Sequence, residues 1–182
     1  MFVANGTIFM PVTTPQQKID KTRLFGGDNV RIELTGDYFD ETLASAQAFC
    51  TRTGAHFLSP FDDPDVIEGQ SSVAVELIEA LGKPPDVLVM PVGGGGLSAG
   101  VIAYLDELGA ETEVHLVEPE GGQSLAAALD AGGPVTLDFV DTFVDGAAVA
   151  RIGDHPFLVL RNVPRDRVHA VTEDRLLSLI HI

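Results

Sequence analysis

Cysteine occurs once, at Cys50, so no internal disulfide can form and nothing in the chain asks for an oxidising compartment. Lysine is almost as scarce, confined to Lys18, Lys21 and Lys83. Together with arginine it gives 11 basic residues against 27 acidic ones, a formal net charge of -16. That imbalance argues against nucleic acid and anionic membrane surfaces, whose phosphates would repel the chain at long range. A small anionic ligand is not excluded, because N–H dipoles act at contact while surface charge is screened over roughly 8–10 Å. No run reaches the roughly 18 consecutive apolar residues of a membrane span, and the N-terminus has no basic region followed by an apolar core and a small-residue cleavage site. The expectation is a cytoplasmic protein. Cys50 ends an alanine-rich amphipathic stretch and reads as a small core residue, not a nucleophile. The five histidines share no ligand spacing, so no metal site is expected, and His115 within a strand pattern reads as packed or hydrogen-bonded.

What is present is enough apolar residue, 45% of 182, to build a globular core. Thr7 to Met10 reads as a strand, Thr14-Pro15 as an N-cap with proline in the first helical position, and Gly26-Gly27 as that helix's stop. Val30 to Leu34 alternates like a strand, and Phe39 to Thr53 puts Leu43, Ala46, Phe49 and Cys50 on one helical face before Gly54. A strand around His56-Phe57-Leu58, a turn from Pro60 to Pro64 and a helix carrying Val73, Val75, Leu77, Ile78 and Leu81 follow. Asp62 and Asp63 before Pro64 read as caps of the helix through Asp65. Further on, Val114 to Val117 is a strand, Leu125, Ala128 and Leu129 lie on a helix ended by Gly132-Gly133-Pro134, and Thr172-Glu173-Asp174 opens a last helix with Leu176 and Leu177. Strands alternating with helices at this spacing predict a parallel α/β sheet covered on both faces, with ligands beyond the carboxyl ends of the strands.

One stretch falls at such an end: Val87-Leu88-Val89-Met90-Pro91-Val92, then Gly93-Gly94-Gly95-Gly96, then the helical run Leu97 to Leu108. Glycines let the backbone approach an anion closely, and the following helix aims its unpaired N–H groups and positive dipole end at the same place. The pattern predicts a phosphate cradle made of backbone. A plainer reading is a tight turn that allows close helix-to-sheet packing, and both readings stay open at this point. There is no Gly-Lys-Ser/Thr ending, which excludes a nucleotide P-loop, and the spacing does not fit a dinucleotide fingerprint, with only Glu118 standing near the acidic position.

Pro91 to Gly100 closely resembles the tetraglycine loop of the threonine dehydratases (threonine ammonia-lyases), in the tryptophan-synthase-β-like class of pyridoxal phosphate enzymes. Gly6 to Lys18, Pro60 to Pro64, Gly69-Gln70 and Val144 to Val149 resemble the same family in the same order, so the likeness runs from about Gly6 to about Val171. It implies an α/β fold of parallel sheets flanked by helices, the two-lobed fold type II, incomplete here. Residues 1–57 would belong to the smaller lobe and 58–182 to the larger. The resemblance implies pyridoxal 5'-phosphate as cofactor, with Gly93, Gly94, Gly95, Gly96 and Leu97 as its phosphate ligands. It also implies deamination of threonine to 2-oxobutanoate and ammonia on the route to isoleucine, and a homo-oligomer when complete.

Serine dehydratases and serine racemases share the loop and are the alternative. A non-catalytic phosphate-binding module or a non-functional remnant is the alternative of another class. The family's Schiff-base lysine lies in a Ser-Phe-Lys-x-Arg-Gly-Ala type motif upstream of the segment matching Gly6, and none of the three lysines here has that context. No catalytic residue is therefore expected within the chain, both of whose ends look cut. Asp145-Gly146 matches a loop that faces the cofactor in the family, or is simply a turn. Glu118 to Ser124 resembles a segment that binds a divalent cation in serine racemases, but Ser124 stands where a carboxylate is expected, so metal is not.

Overall fold

The computed structural model describes residues 5–37, 39–144 and 146–179. The chain divides into two compact units, Met1–Phe57 and Leu58–Ile182. In the first, strand β1 (Gly6–Met10) is followed by helix α1 (Gln16–Gly26), a single 3-10 turn, strand β2 (Val30–Leu34) and helix α2 (Phe39–Thr53). β1 and β2 pair in parallel with Ile8 opposite Ile32. Helix α2 packs on β1, where the rings of Phe9 and Phe49 lie 5.4 Å apart. Helix α1 begins one residue later than the Thr14-Pro15 signal predicts. Pro15 is the N-cap, and the Thr14 N–H is already taken by the Pro11 carbonyl in a preceding turn. Cys50 is half-buried and free, so it packs less deeply than its helical face suggests.

The second unit runs α3 (Pro64–Gln70), α4 (Ser72–Leu81), β3 (Val87–Pro91), α5 (Gly96–Glu107), β4 (Glu113–Pro119), α6 (Ser124–Ala131), α7 (Asp154–Leu160), β5 (Val168–Val171) and α8 (Glu173–Leu179). β3, β4 and β5 form a parallel sheet in that order, with Met90 opposite Leu116 and Leu116 opposite Val168. Those three residues, with Val92, Val101, Leu105, Leu125, Ile152, Phe157 and Leu160, make the buried core. The side-chain period of 2 decides which face of β3 is covered. Leu88 and Met90 face the core, while Val87 and Val89 are 56% and 61% exposed, so the described helices do not cover the opposite side of that strand.

Three segments depart from the sequence reading. His56 to Leu58 forms no regular element and pairs with no strand among the described residues, and without a ladder its backbone preference does not make a strand. Helices α3 and α4, read as one, are separate. Ser71 sits between them with helical φ and ψ, and its hydroxyl donates back to the Glu68 carbonyl at 2.6 Å. Helix α7 and strand β5 lack a readable period because they are only 7 and 4 residues long, yet β5 completes the sheet.

Candidate functional site

Strand β3 runs out at Pro91, and Val92 adds one more bond to β4 through its N–H and the Val117 carbonyl, 2.8 Å away. The chain then reverses through Gly93, Gly94 and Gly95 into α5. Gly95 is the N-cap, with φ 90°, a left-handed conformation that side-chain-bearing residues adopt only with strain. The other glycines are dictated by crowding. A Cβ on Gly94 would stand 2.2 Å from the Phe61 ring, one on Gly96 would stand 2.9 Å from the Phe61 backbone, and one on Gly93 would stand 3.3 Å from Ala147 Cα.

This close approach ties the loop's carbonyls to protein. Gly94 accepts the Gly153 N–H at 3.1 Å, Gly95 accepts the Ala99 N–H at 2.9 Å, Pro91 accepts the Ser98 hydroxyl at 3.1 Å, and Gly93 accepts the Ser124 hydroxyl at a long 3.4 Å. The N–H groups are the reverse. Among the described residues none accepts a hydrogen bond from the N–H of Gly93, Gly94, Gly95, Gly96, Leu97 or Ser98. All six residues line an open cavity of about 290 Å³, walled otherwise by Pro60, Phe61, Gln70, Pro91, Gly146, Ala147 and Val149. No charged side chain among the described residues lines it. Donors at a helix N-terminus that have no acceptor among the described residues are an arrangement suited to a small anion.

Two carboxylates brace the site from behind. Glu118, at the end of β4 and only 1% exposed, accepts the N–H of Leu125 at 2.7 Å and of Ala126 at 3.0 Å, satisfying the first turn of α6. Burial pushes its carboxyl above the ordinary range, against those two N–H donors and the positive charge of Arg165. Glu118 thereby caps α6, and no cluster of metal-ligating side chains occurs among the described residues. Glu118→Ala leaves two buried N–H groups unsatisfied and is expected to lower unfolding free energy by about 3 kcal/mol, read by urea denaturation.

The paired aspartates separate in role. Asp63 caps α3, its Oδ1 accepting the N–H of Asp65 and Val66, as expected of an aspartate before Pro64. Asp62 instead crosses to α7, where its Oδ1 accepts the N–H and the Nδ1 of His155, both at 2.9 Å. Burial alone would raise the Asp62 carboxyl, but the N–H and ring of His155 and the N–H of Asp154 outweigh it and hold the group below its ordinary 3.8. A carboxyl lowered on folding stabilises above its unfolded value and loses that contribution as pH falls through the folded one. The thermal midpoint of wild type is therefore expected to exceed that of Asp62→Asn at pH 6, and the gap to shrink as pH drops below 3.8.

The remaining sequence candidates distribute as follows. Lys18 and Lys21 are exposed on α1, and Lys83 is exposed with its ammonium on Asp86 at 3.2 Å, so no lysine lines the glycine cavity. Asp145 lies outside the described residues, while its neighbour Gly146 lines the cavity. His115 is hydrogen-bonded, to His169 and to Glu113, each at 2.9 Å. Missed by the sequence reading was Ile152 to Leu160, which packs under Gly95 and holds the Gly94 carbonyl. Its signal was present in Gly153-Asp154, an acidic first turn after a glycine, too short for periodicity to show.

Residues 3–182 match the sequence family described as pyridoxal-phosphate dependent enzyme. The biosynthetic L-threonine dehydratase of Corynebacterium glutamicum is 44% identical over 170 residues, which are 92% of this chain and 39% of that protein. The chain thus spans well under half the length of the curated relatives it matches. Among solved structures, the processed form of threonine deaminase isoform 2 from Solanum lycopersicum matches with a TM-score of 0.83 and 39% identity, over 93% of this chain and 48% of that one. Maize serine racemase matches with a TM-score of 0.86 and 25% identity, over 97% and 52%. No described helix is long and apolar enough to cross a membrane.

Proposed function

This chain belongs to the family of pyridoxal-phosphate dependent enzymes, with their fold-type II α/β architecture, and we propose that it forms the phosphate-anchoring core of a threonine dehydratase. The observation that carries the proposal is the row of N–H groups from Gly93 to Ser98 without acceptors among the described residues, beside a cavity that no charged side chain among those residues lines. That donor set fits a phosphate ester, whose oxygens accept several hydrogen bonds at once. At about 290 Å³ the cavity approaches the lower end of the roughly 300–1,000 Å³ typical of small-molecule sites.

In this reading Gly93, Gly94, Gly95, Gly96 and Leu97 donate to the phosphate. The dipole of α5 favours its charge, and Phe61, packed on Gly94, keeps water from that side. When bound, the cofactor supplies an electron sink for the substrate's α-carbon. Covalent attachment and proton shuttling need an amine. No lysine lines the cavity, so we assign those duties to a segment outside this chain. Met1–Phe57 is read as part of a smaller lobe and Leu58–Ile182 as part of the larger one.

The overall reaction is then deamination of L-threonine to 2-oxobutanoate and ammonia, the water lost in the elimination being regained on hydrolysis, serving isoleucine synthesis in the cytoplasm from a self-associating enzyme. A second reading, serine deamination or racemisation, is favoured by the fit to maize serine racemase. Two experiments test the proposal. Titrating the chain with pyridoxal phosphate is expected to give saturable binding that inorganic phosphate competes away. Borohydride treatment followed by peptide mapping should then leave Lys18, Lys21 and Lys83 unmodified. A folded chain that binds neither probe rejects the anchor. For the complete protein, turnover of serine but not threonine selects the second reading.

A further inference from the structure

Asp62 touches none of the unpaired N–H groups, yet it joins the two segments that press on them. Phe61, the residue before it, lies against Gly94 so closely that even a methyl group could not be added there. On its other side Gly94 is held by its carbonyl, which accepts the Gly153 N–H at 3.1 Å, and Gly153 is the N-cap of α7. Asp62 closes the circuit. Its Oδ1 takes two hydrogen bonds from His155, and its Cγ would stand 3.0 Å from a Cβ on Gly153. A carboxylate only accepts, so the His155 ring nitrogen is the donor. Asp154 does not compete for this role, because its own carboxylate is engaged by Arg151 at 2.7 and 3.3 Å.

Phe61, Gly94, Gly153, His155 and Asp62 therefore form a closed ring of contacts in which each member fixes the next. We propose that Asp62 is a positioning residue which, through His155, sets the orientation of the Gly93–Gly96 loop and so its affinity for a phosphate group. The proposal rests on the reading of that loop as a phosphate anchor. It also has a sign that simple electrostatics reverses. Asp62 is an anion close to an anion site, so removing its charge should tighten phosphate binding if charge alone mattered. If the ring of contacts matters, the same change weakens binding.

The test uses the full chain, with inorganic phosphate and pyridoxal phosphate as probes, in Asp62→Asn, Asp62→Ala, His155→Ala and the Asp62→Ala/His155→Ala double variant. Circular dichroism confirms that each is folded. Asp62→Asn is expected to weaken both probes about fivefold and Asp62→Ala about tenfold, the scale of one or two hydrogen bonds to a charged group. His155→Ala keeps its backbone N–H on Asp62 and is expected to cost about threefold. Because the two side chains act through one contact, the double variant should match Asp62→Ala alone. If Asp62→Ala does not fold, Asp62→Asn and the exposed His155→Ala still decide the matter.

Wild-type protein that binds neither probe overturns the phosphate reading. Wild type that binds, with Asp62→Asn equal to it or tighter, overturns the positioning role alone. Full additivity in the double variant, or no effect of His155→Ala, overturns the route through His155.

Discussion

Gly94→Asp is expected to weaken pyridoxal phosphate binding by about 100-fold or more, since one added charge about 4 Å from the ligand's phosphate opposes it by about 4 kcal/mol at an effective dielectric near 20. Two causes act together. The new Cβ would stand between 2.2 and 2.4 Å from three atoms of the Phe61 ring, so the ring has to leave the loop. The carboxylate then enters a cavity whose described lining offers an anion peptide N–H groups and no cationic side chain. Gly94→Ala separates the causes, carrying the steric change without the charge, and is expected to cost about tenfold, as displaced aromatic packing does. Leu97→Met is the control: it keeps volume and N–H, and affinity should stay within about twofold. Fluorescence titration of the three variants checks the order. Equal losses in all three would mean that the loop merely supports the fold.

Gly100→Ala is expected to destabilise the second unit by about 3 kcal/mol or more, a large share of the roughly 5–15 kcal/mol that holds a domain together. Helix propensity predicts the opposite sign, because alanine in a helix interior is better than glycine by about 0.5–1 kcal/mol. Packing decides. A Cβ on Gly100 would stand 2.2 Å from the Ile67 carbonyl oxygen and 3.0 Å from the Ser71 nitrogen, both backbone atoms that cannot rotate aside. Helix α3 would have to retreat from α5, taking Gln70 away from the cavity wall. A lowered urea midpoint with unchanged m-value is the expected record. A raised midpoint would show that α3 does not approach α5 so closely.

Elements with a strong local signature were legible in the sequence: β3 followed by its glycines, α5, α2 with its apolar stripe, and α6 with its glycine stop. The register of the sheet was not, because it depends on β5, four residues among arginines whose strand character comes from lying beside β4. The strand expected at His56 failed for the complementary reason. Its residues suit a strand, but no neighbour among the described residues pairs with them. Of the candidate site, the glycines were legible because their chemistry is local, whereas the partners that crowd them arrive from Phe61 and from Ile152 to Leu160. Asp62 shows the limit most clearly. Beside Asp63 and Pro64 it looks like half of a helix cap, and only its position across from His155, 93 residues away, gives it another role.

A ligand gripped by peptide groups alone leaves the genome unusually free elsewhere. The grip has no side-chain identity to lose, only the condition that no Cβ appear at a few positions, so lysines and arginines can be replaced over evolutionary time without loosening it. On the proposed reading, a chain can in this way drift to 27 acidic and 11 basic residues while its phosphate anchor stays intact. Had the anchor been a cluster of lysines, the same drift would have erased it first.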